Sequence, residues 1–370
     1  MSKITTIALT GGPCGGKSTS ISILEQELTN KGYQVFVVEE MATNLILSGA
    51  NPGVTGLFEF QRMLIKLQDE RNKVYHYMAD EVSDRTGKPV VIIFDRGIPD
   101  SKAYISHNDY SELLKQLWIS EVEVMDYYDG VFHLVTAADG AVEAYTCSNN
   151  AARTETPEQA IALDRKCIEA WTGHPHLRVI KNGCTFEAKI NNLLEEVYAL
   201  LGIPVPVETE RKYLISKNGL QEAIKDLSKT TVDIIQTYLV EKEPGVERRI
   251  RQRGTNGSYT FYYTEKQNIN EVSRTEREKK ISESEYLKLM LEADTSLHQI
   301  RKTRTCFVYA ETYFELDEYP FWDNVAVIEV ELTDVNKEVN IPKNINVIKE
   351  VTSDDRYKNK SLAKNQGVIN

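Results

Sequence analysis

Two groups of residues in this 370-residue sequence are suited to chemistry on phosphates. The first is compact. Gly11, Gly12, Pro13, Cys14, Gly15, Gly16, Lys17 and Ser18 read G-x-x-x-x-G-K-S, with Thr19 next. Glycines at this spacing let the backbone curl so that its N–H groups point inward at phosphate oxygens. Lys17 can reach the β- and γ-phosphates of a nucleoside triphosphate, and the Ser18 hydroxyl can ligate Mg2+. The second group is dispersed through the latter half. Charges recur there at i and i+2: Glu208, Glu210 and Lys212; Arg249 and Arg251; Glu276 and Glu278; Lys302 and Arg304; Glu315 and Asp317; Glu329 and Glu331. Lys266 stands alone at the end of YTFYYTEK. In a strand, this spacing puts both members of a pair on one face.

The compact group needs a strand before it and a helix after it. Ile7-Ala8-Leu9 supplies the apolar run, and Ile21, Leu24 and Leu28 supply the helical period. In that setting the pattern is the P-loop, and a glycine turn ending in a chance Lys-Ser is the weaker account. A helix starting near Lys17 adds the partial positive charge of its N-terminus. Gly32 closes that helix, and Gln34 to Val38 forms a β-branched run ending in Glu39-Glu40. Residues 57–82 read as a long helix whose buried face would carry Phe60, Leu64, Leu67, Val74 and Met78. Val90 to Phe94 is continuously apolar, as a strand buried on both faces would be, and ends in Asp95-Arg96-Gly97. Further strands are expected at Val131–Val135 and Leu177–Ile180. Alternating strands and helices imply an α/β doubly wound parallel sheet, which binds ligands at the carboxyl ends of its strands.

That rule ranks the other candidates. Asp95 would hold Mg2+ or its water, with a helix cap as the structural alternative. Glu40 could act as a base toward an acceptor hydroxyl, with Glu39 competing for the place. Arg153, in NNAARTETPEQA, is a candidate lid arginine for transferring phosphoryl charge, or a loop arginine paired with Glu155. His174 and His176 lack a third ligand and read as loop structure rather than a metal site.

Composition sets the frame. Hydrophobic content of 41% and charged content of 27% are ordinary for a globular chain, and its length favours two domains. No apolar run is long enough to span a bilayer, and MSKITT has neither a signal pattern nor a myristoylation glycine. Cys14, Cys147, Cys167, Cys184 and Cys306 are scattered without C-x-x-C, so reduced thiols and a cytoplasmic location are expected. The net charge of −11 argues against DNA and against general nucleic-acid binding. It is uneven: residues 1–203 hold 18 basic and 27 acidic side chains, a net −9, and the remainder a net −2. The expected division is 1–203, a Pro-stiffened linker at 204–206, a second domain at 207–363 and a polar tail at 364–370.

An ordinary surface strand also alternates polar and apolar residues, but mixed Ser, Thr, Lys and Glu would then face solvent. Acid pairs on some strands and base pairs on others fit a barrel with a wet, charged interior. Bases there could neutralise a multiply charged anion, while acids hold a hard cation such as Mg2+ or Mn2+.

Both halves resemble known families. Residues 4–203, through GGPCGGKST, VVEEMAT, FDRGIPDSKAY and NNAARTE, resemble nicotinamide-riboside-kinase-like P-loop proteins. No N-K-x-D motif is present to read guanine, so ATP and GTP both stay open. Residues 205–362 resemble the CYTH domains, the triphosphate tunnel metalloenzymes: E-x-E-x-K at 208–212, R-x-R at 249–251, Lys266, R-x-E-x-E at 274–278, K-T-R at 302–304 and E-V-E at 329–331 occur in family order. The resemblance implies an α+β domain with an eight-stranded antiparallel tunnel. It would place metal on Glu208, Glu210, Glu329 and Glu331, with Asp317 a further candidate. It would place phosphates on Lys212, Arg249, Arg251, Lys266, Lys302 and Arg304. The fused order is similar to the TRPL-translocation-defect family, whose members are associated with nucleotide and phosphoinositide binding. The leading expectation is an enzyme with two phosphate sites: Mg-NTP-dependent phosphoryl transfer to a small acceptor in the first half, and metal-dependent hydrolysis of a triphosphate-bearing substrate in the second. The alternative is a nucleotide-dependent binding protein that holds a phosphoinositide or polyphosphate without turnover.

Overall fold

The structure, a computed structural model, describes residues 4–140, 156–203, 209–268, 274–332 and 338–365. It divides into two compact units, Ser2–Val197 and Tyr198–Asn370.

The first unit is built on a five-stranded parallel sheet: β1 (Ile4–Thr10), β2 (Gln34–Val38), β3 (Val90–Asp95), β4 (Gly130–Leu134) and β5 (Leu177–Ile180), in the order β2-β3-β1-β4-β5. Val90 to Phe94 and all of β4 are buried, which is why neither strand alternates apolar and exposed polar residues. The one polar side chain, His133 of β4, is buried 3.1 Å from Asp164. The chain leaves β1 toward β2 but leaves β3 toward β4, so the direction of winding reverses between β1 and β3. Leu9 lies opposite Asp95 at that point, and the glycine loop follows one residue beyond β1. This is where an open parallel sheet offers a crevice.

The long helix spans Leu57–Thr86, four residues past its expected end. Its buried side is not the one the apolar spacing suggests. Phe60 and Leu64 are buried as expected, but Val74 and Met78 face solvent. Gln61, Gln68, Asp69 and Asn72 are buried in their place. Asp69 has a polar partner there, since Tyr127 donates its hydroxyl to it at 2.7 Å, and the His76 ring bridges the Asn72 backbone carbonyl to the Thr6 hydroxyl of β1. Gln61 Oε1 and Gln68 Oε1 are buried with no hydrogen-bond partner among the described residues. Among the described residues no helix is long and apolar enough to cross a membrane.

The second unit holds one antiparallel sheet: β6 (Thr209–Ser216), β7 (Lys229–Leu239), β8 (Val246–Thr255), β9 (Ser258–Asn268), β10 (Arg274–Ile281), β11 (Ile300–Tyr309), β12 (Thr312–Glu318), β13 (Val325–Leu332) and β14 (Val347–Glu350). The order is β10-β9-β8-β7-β11-β12-β13-β6-β14. The eight expected strands are thus joined by a short ninth, β14, at the edge beside β6, and no ladder joins the two edges among the described residues. One face packs a hydrophobic core that includes Tyr213, Ile215, Phe307, Phe314, Leu316, Ala326, Ile328 and Val330. The opposite face is charged.

Candidate functional site

The glycine loop runs from the end of β1 into the helix Lys17–Asn30. Gly11 has φ +144° and Gly16 φ +86°, conformations L side chains rarely adopt, and Cys14 is left-handed at φ 58°. Close approach adds a second demand: a Cβ on Gly11 would lie 2.3 Å from the Leu134 carbonyl oxygen, and one on Gly15 2.6 Å from it. The helix begins with no side-chain cap on its first N–H groups, which suits an anion there. Ser18 and Thr19 are exposed in that first turn.

Not every group in the loop faces inward. The Gly12 N–H donates to Asp164 Oδ1 at 2.7 Å, so it is committed to the protein and not to phosphate. Pro13 has no N–H to offer. Lys17 Nζ donates to the Gly11 and Gly12 carbonyls at 3.2 and 3.4 Å, folded over the loop it would share with phosphate. Burial, reinforced by Arg96, pushes its pKa down.

Asp95 carries a buried Oδ1 with no hydrogen-bond partner among the described residues, and burial pushes its carboxyl up. A hard-oxygen ligand left open beside Ser18's helix fits Mg2+. Glu40 accepts from Arg96 Nε at 2.7 Å and from the Thr43 hydroxyl at 2.8 Å. Burial raises its carboxyl, but Arg96 and Thr43 outweigh that and hold it below the usual glutamate range. Arg96 is itself left-handed at φ 67° and also reaches Asp100 at 3.3 Å. Arg153 lies outside the described residues. His174 is buried, bonded to the Tyr128 carbonyl and the His176 N–H, in the structural role its sequence suggested.

In the second unit, register alone assembles the charged face, because directly opposed residues of an antiparallel pair share a side. Glu331 opposes Glu210 and Glu329 opposes Lys212; Glu315 opposes Glu329; Arg304 opposes Asp317. On the other flank Lys302 opposes Ile234, which opposes Arg253; Arg251 and Arg249 follow at two-residue steps, and Thr264, opposite Arg249, leads two residues on to Lys266. Glu278 opposes Thr264 as well, so all of these residues share one side. Glu208 lies outside the described residues.

The sheet is curled over that side. Burial pushes the Glu210 carboxyl up against the pull of Lys212, and Lys266 also pulls it down. β9 and β6 are six positions apart in the sheet order, about 29 Å were the sheet flat. Only curvature brings Lys266 within electrostatic reach of Glu210.

Oppositely charged side chains interlock on this face. Lys212 Nζ lies 2.5 Å from Glu210 and 2.7 Å from Glu329. Arg304 reaches Asp317 at 2.6 Å, Glu329 at 2.7 Å and also Glu315, while Lys302 bonds to Asp317. Burial alone would raise Glu329; Lys212, Lys302 and Arg304 hold it well below the carboxylate range. Arg251 pairs with Glu278 at 2.7 Å and stacks 5.3 Å from the Tyr262 ring, leaving a buried Nε without a hydrogen-bond partner among the described residues. Glu331 is exposed at the rim. The donor chemistry of Glu210, Glu329 and Glu331 suits Mg2+ or Mn2+. Yet among the described residues no three acidic, His or Cys side chains already converge as a metal site. The carboxylates are turned onto cations instead.

A family model described as an AAA domain matches residues 6–189. The first unit carries an AAA-type P-loop domain. No curated relative matches the chain. Among solved structures, the chain is similar to one described as the inorganic triphosphatase NE1496, at 27% identity and a TM-score of 0.31, over 43% of this chain and 96% of that one. It is also similar to the PH1819 protein from Pyrococcus horikoshii, at 23% identity and a TM-score of 0.27, over 33% of this chain and 77% of that one. With TM-scores this low, the reading of the charged face rests on its own geometry.

Four residues were not singled out by sequence reasoning. In the AAA-type domain, Asp164 binds the Gly12 and Thr136 N–H groups and lies 3.1 Å from His133. Lys189, fully buried, donates to the carbonyls of Gly15 at 3.0 Å and Val135 at 2.5 Å and to Asn182 at 2.9 Å, tying the loop to the end of β4. Arg96 had a signal in its place directly after Asp95. Arg253 had a plainer one, since R-x-R-x-R continues the two-residue spacing past Arg251.

Proposed function

We propose that this chain handles phosphates at two sites of different construction. In the AAA-type domain, backbone N–H groups from Cys14 to Thr19 cradle a nucleoside triphosphate, ATP or GTP, and Lys17 turns from the loop carbonyls to its β/γ-phosphates. Ser18 and Asp95 hold Mg2+. Glu40 orients a small acceptor hydroxyl, and Arg153 neutralises charge on the phosphoryl group in transit.

In the second unit, a CYTH-type tunnel binds the triphosphate of a small molecule. Lys212, Arg249, Arg251, Lys266, Lys302 and Arg304 neutralise its oxygens. Glu208, Glu210, Glu329 and Glu331, with Asp317 beside them, hold Mg2+ or Mn2+. When bound, the ion polarises a phosphoryl oxygen and activates water for hydrolysis. The observation that carries this reading is the single curled face on which acids of β6, β12 and β13 meet bases of β8, β9 and β11.

A second reading draws on the ion pairs of Glu210, Glu329 and Asp317: a face neutralised by itself could hold a phosphoinositide headgroup or polyphosphate without turnover. Phosphate release separates the two. Wild-type protein given tripolyphosphate or NTP with Mg2+ or Mn2+ should release phosphate. Glu210→Ala and Lys212→Ala should abolish release from tripolyphosphate, and Lys17→Ala should leave it intact while ending phosphoryl transfer. Unchanged release in both tunnel variants would overturn the assignment.

A further inference from the structure

We propose that a divalent metal ion and a polyphosphate enter the charged face of the second unit as a cooperative pair, each freeing the chain's own groups that the other requires. This rests on the triphosphate reading above and adds a rule for how that site fills.

Along β6, β13, β12 and β11, Lys212, Lys302 and Arg304 link Glu210, Glu329, Asp317 and Glu315 into one chain, with every carboxylate on at least one cation. Lys302, Arg304 and Asp317 are almost fully buried. A metal ion arriving alone at Glu210 and Glu329 must displace Lys212 and Arg304. Those cations are then left beside a dication with little water to screen them. A polyphosphate arriving alone must strip the same cations from their acids, and so leaves carboxylates facing phosphate oxygens. Arriving together, the two ligands complete an exchange. Lys212 passes to phosphate and Glu210 and Glu329 pass to metal, while Lys302 and Arg304 turn their remaining N–H groups to phosphate and keep Asp317 and Glu315, so fewer charges are left without a partner than with either ligand alone.

Coupling of this kind is reciprocal: whatever factor the metal contributes to anion affinity, the anion contributes to metal affinity. It also carries an unusual sign for one variant. Lys212 competes with metal for two carboxylates, so Lys212→Met should raise the affinity for metal alone while it weakens anion binding.

The test uses the full chain in the Lys17→Ala background, which silences the P-loop. Mn2+ binding is followed by the electron paramagnetic resonance of the free ion. Binding of the non-hydrolysable diimido analogue of tripolyphosphate is followed by calorimetry, with the complex that the two form in free solution subtracted. Each ligand should tighten the other by about tenfold or more, and Lys212→Met should bind Mn2+ alone more tightly and show a smaller coupling factor. Independent binding, with a factor near one, would overturn the proposal and leave the triphosphate reading standing. No analogue binding under any condition would overturn both. Should Lys212→Met fail to fold, the coupling factor of the parent chain still decides the matter.

Discussion

Arg304 on β11 grips Asp317 on β12 with two prongs: its Nε lies 2.6 Å from Oδ1 and its Nη2 2.6 Å from Oδ2. The two residues are opposite one another in register, and neither is reached by solvent to any extent. A planar guanidinium matches a carboxylate in this way where an ammonium cannot. Asp317 also receives Lys302, so two buried cations share this acid. Asp317→Ala should therefore destabilise the second unit by about 3–5 kcal/mol, the usual result of breaking a buried pair from one side. Urea unfolding with hydrogen exchange of β11 to β13 would measure it. A loss below about 1 kcal/mol, the range of exposed pairs, would mean the site is far wetter than its burial implies.

The glycines of the loop should differ sharply from glycines elsewhere. Gly11→Ala forces a Cβ to 2.3 Å from the Leu134 carbonyl oxygen at φ +144°. Gly87, with φ +71° and nothing within 4 Å of the place a Cβ would take, ends a helix in open space. Gly87→Ala should cost about 1–2 kcal/mol, from backbone conformation alone. Gly11→Ala should cost more and abolish ATP-dependent stabilisation in thermal unfolding. Equal shifts for both would contradict the packing described for the loop.

Asp164 gives the AAA-type domain a pH dependence. Burial pushes its carboxyl up, but His133 and the N–H groups of Gly12 and Thr136 outweigh this and hold it below the ordinary aspartate range. A depressed folded-state value means stability present above the unfolded value of about 4 and lost as pH falls through the folded one. Asp164→Asn should be less stable by about 1–3 kcal/mol at neutral pH. The difference from wild type should shrink as pH is lowered through the acid range. Urea midpoints between neutral and acid pH would show the two curves converging.

Lys189 should act on nucleotide affinity without touching nucleotide. Its removal in Lys189→Met leaves the Gly15 and Val135 carbonyls and Asn182 Oδ1 without their shared donor. Charged hydrogen bonds of this sort contribute about 1.5–3 kcal/mol each. We expect weaker ATP binding by calorimetry together with a lowered unfolding midpoint. Tripolyphosphate hydrolysis should be unchanged.

What the sequence made legible follows from how local the determinants are. The glycine loop was readable because strand, turn and helix are contiguous and positive φ demands glycine. The charged pairs were readable because a two-residue period survives any tertiary arrangement, so Lys302 with Arg304, or Glu210 with Lys212, share a side of their own strand. That the strands turn these pairs to one common side is set by their register. Asp164 was not readable, since it meets Gly12 across 152 residues of chain. Nor was Lys189, whose burial depends on carbonyls at the end of β4. Val74 and Met78 misled for the opposite reason: their spacing is helical, but the side of the helix that is covered is the one where Asp69 meets the Tyr127 hydroxyl and His76 meets Thr6 of β1. That Gly12 serves Asp164 rather than phosphate could come only from the three-dimensional arrangement.

The central claim, that one face of the second sheet binds a metal triphosphate, is tested most directly by neighbouring cations that point opposite ways. Lys212 lies on the charged face, whereas Arg211 turns to the other side and pairs in the open with Glu350 at 2.7 Å. Arg249 and Arg248 form a second such couple, Arg248 binding Glu292 at 2.8 Å away from the face. Phosphate release from tripolyphosphate with Mg2+ or Mn2+ should fall by two orders of magnitude or more, about the effect of losing one charge-stabilising donor, in Lys212→Ala and Arg249→Ala. It should stay near wild type in Arg211→Ala, and per folded molecule in Arg248→Ala, where the loss of a buried arginine bonded to Tyr263, Val240 and Glu292 lowers stability. Equal losses in all four, or none in the first two, would contradict the assignment of this face.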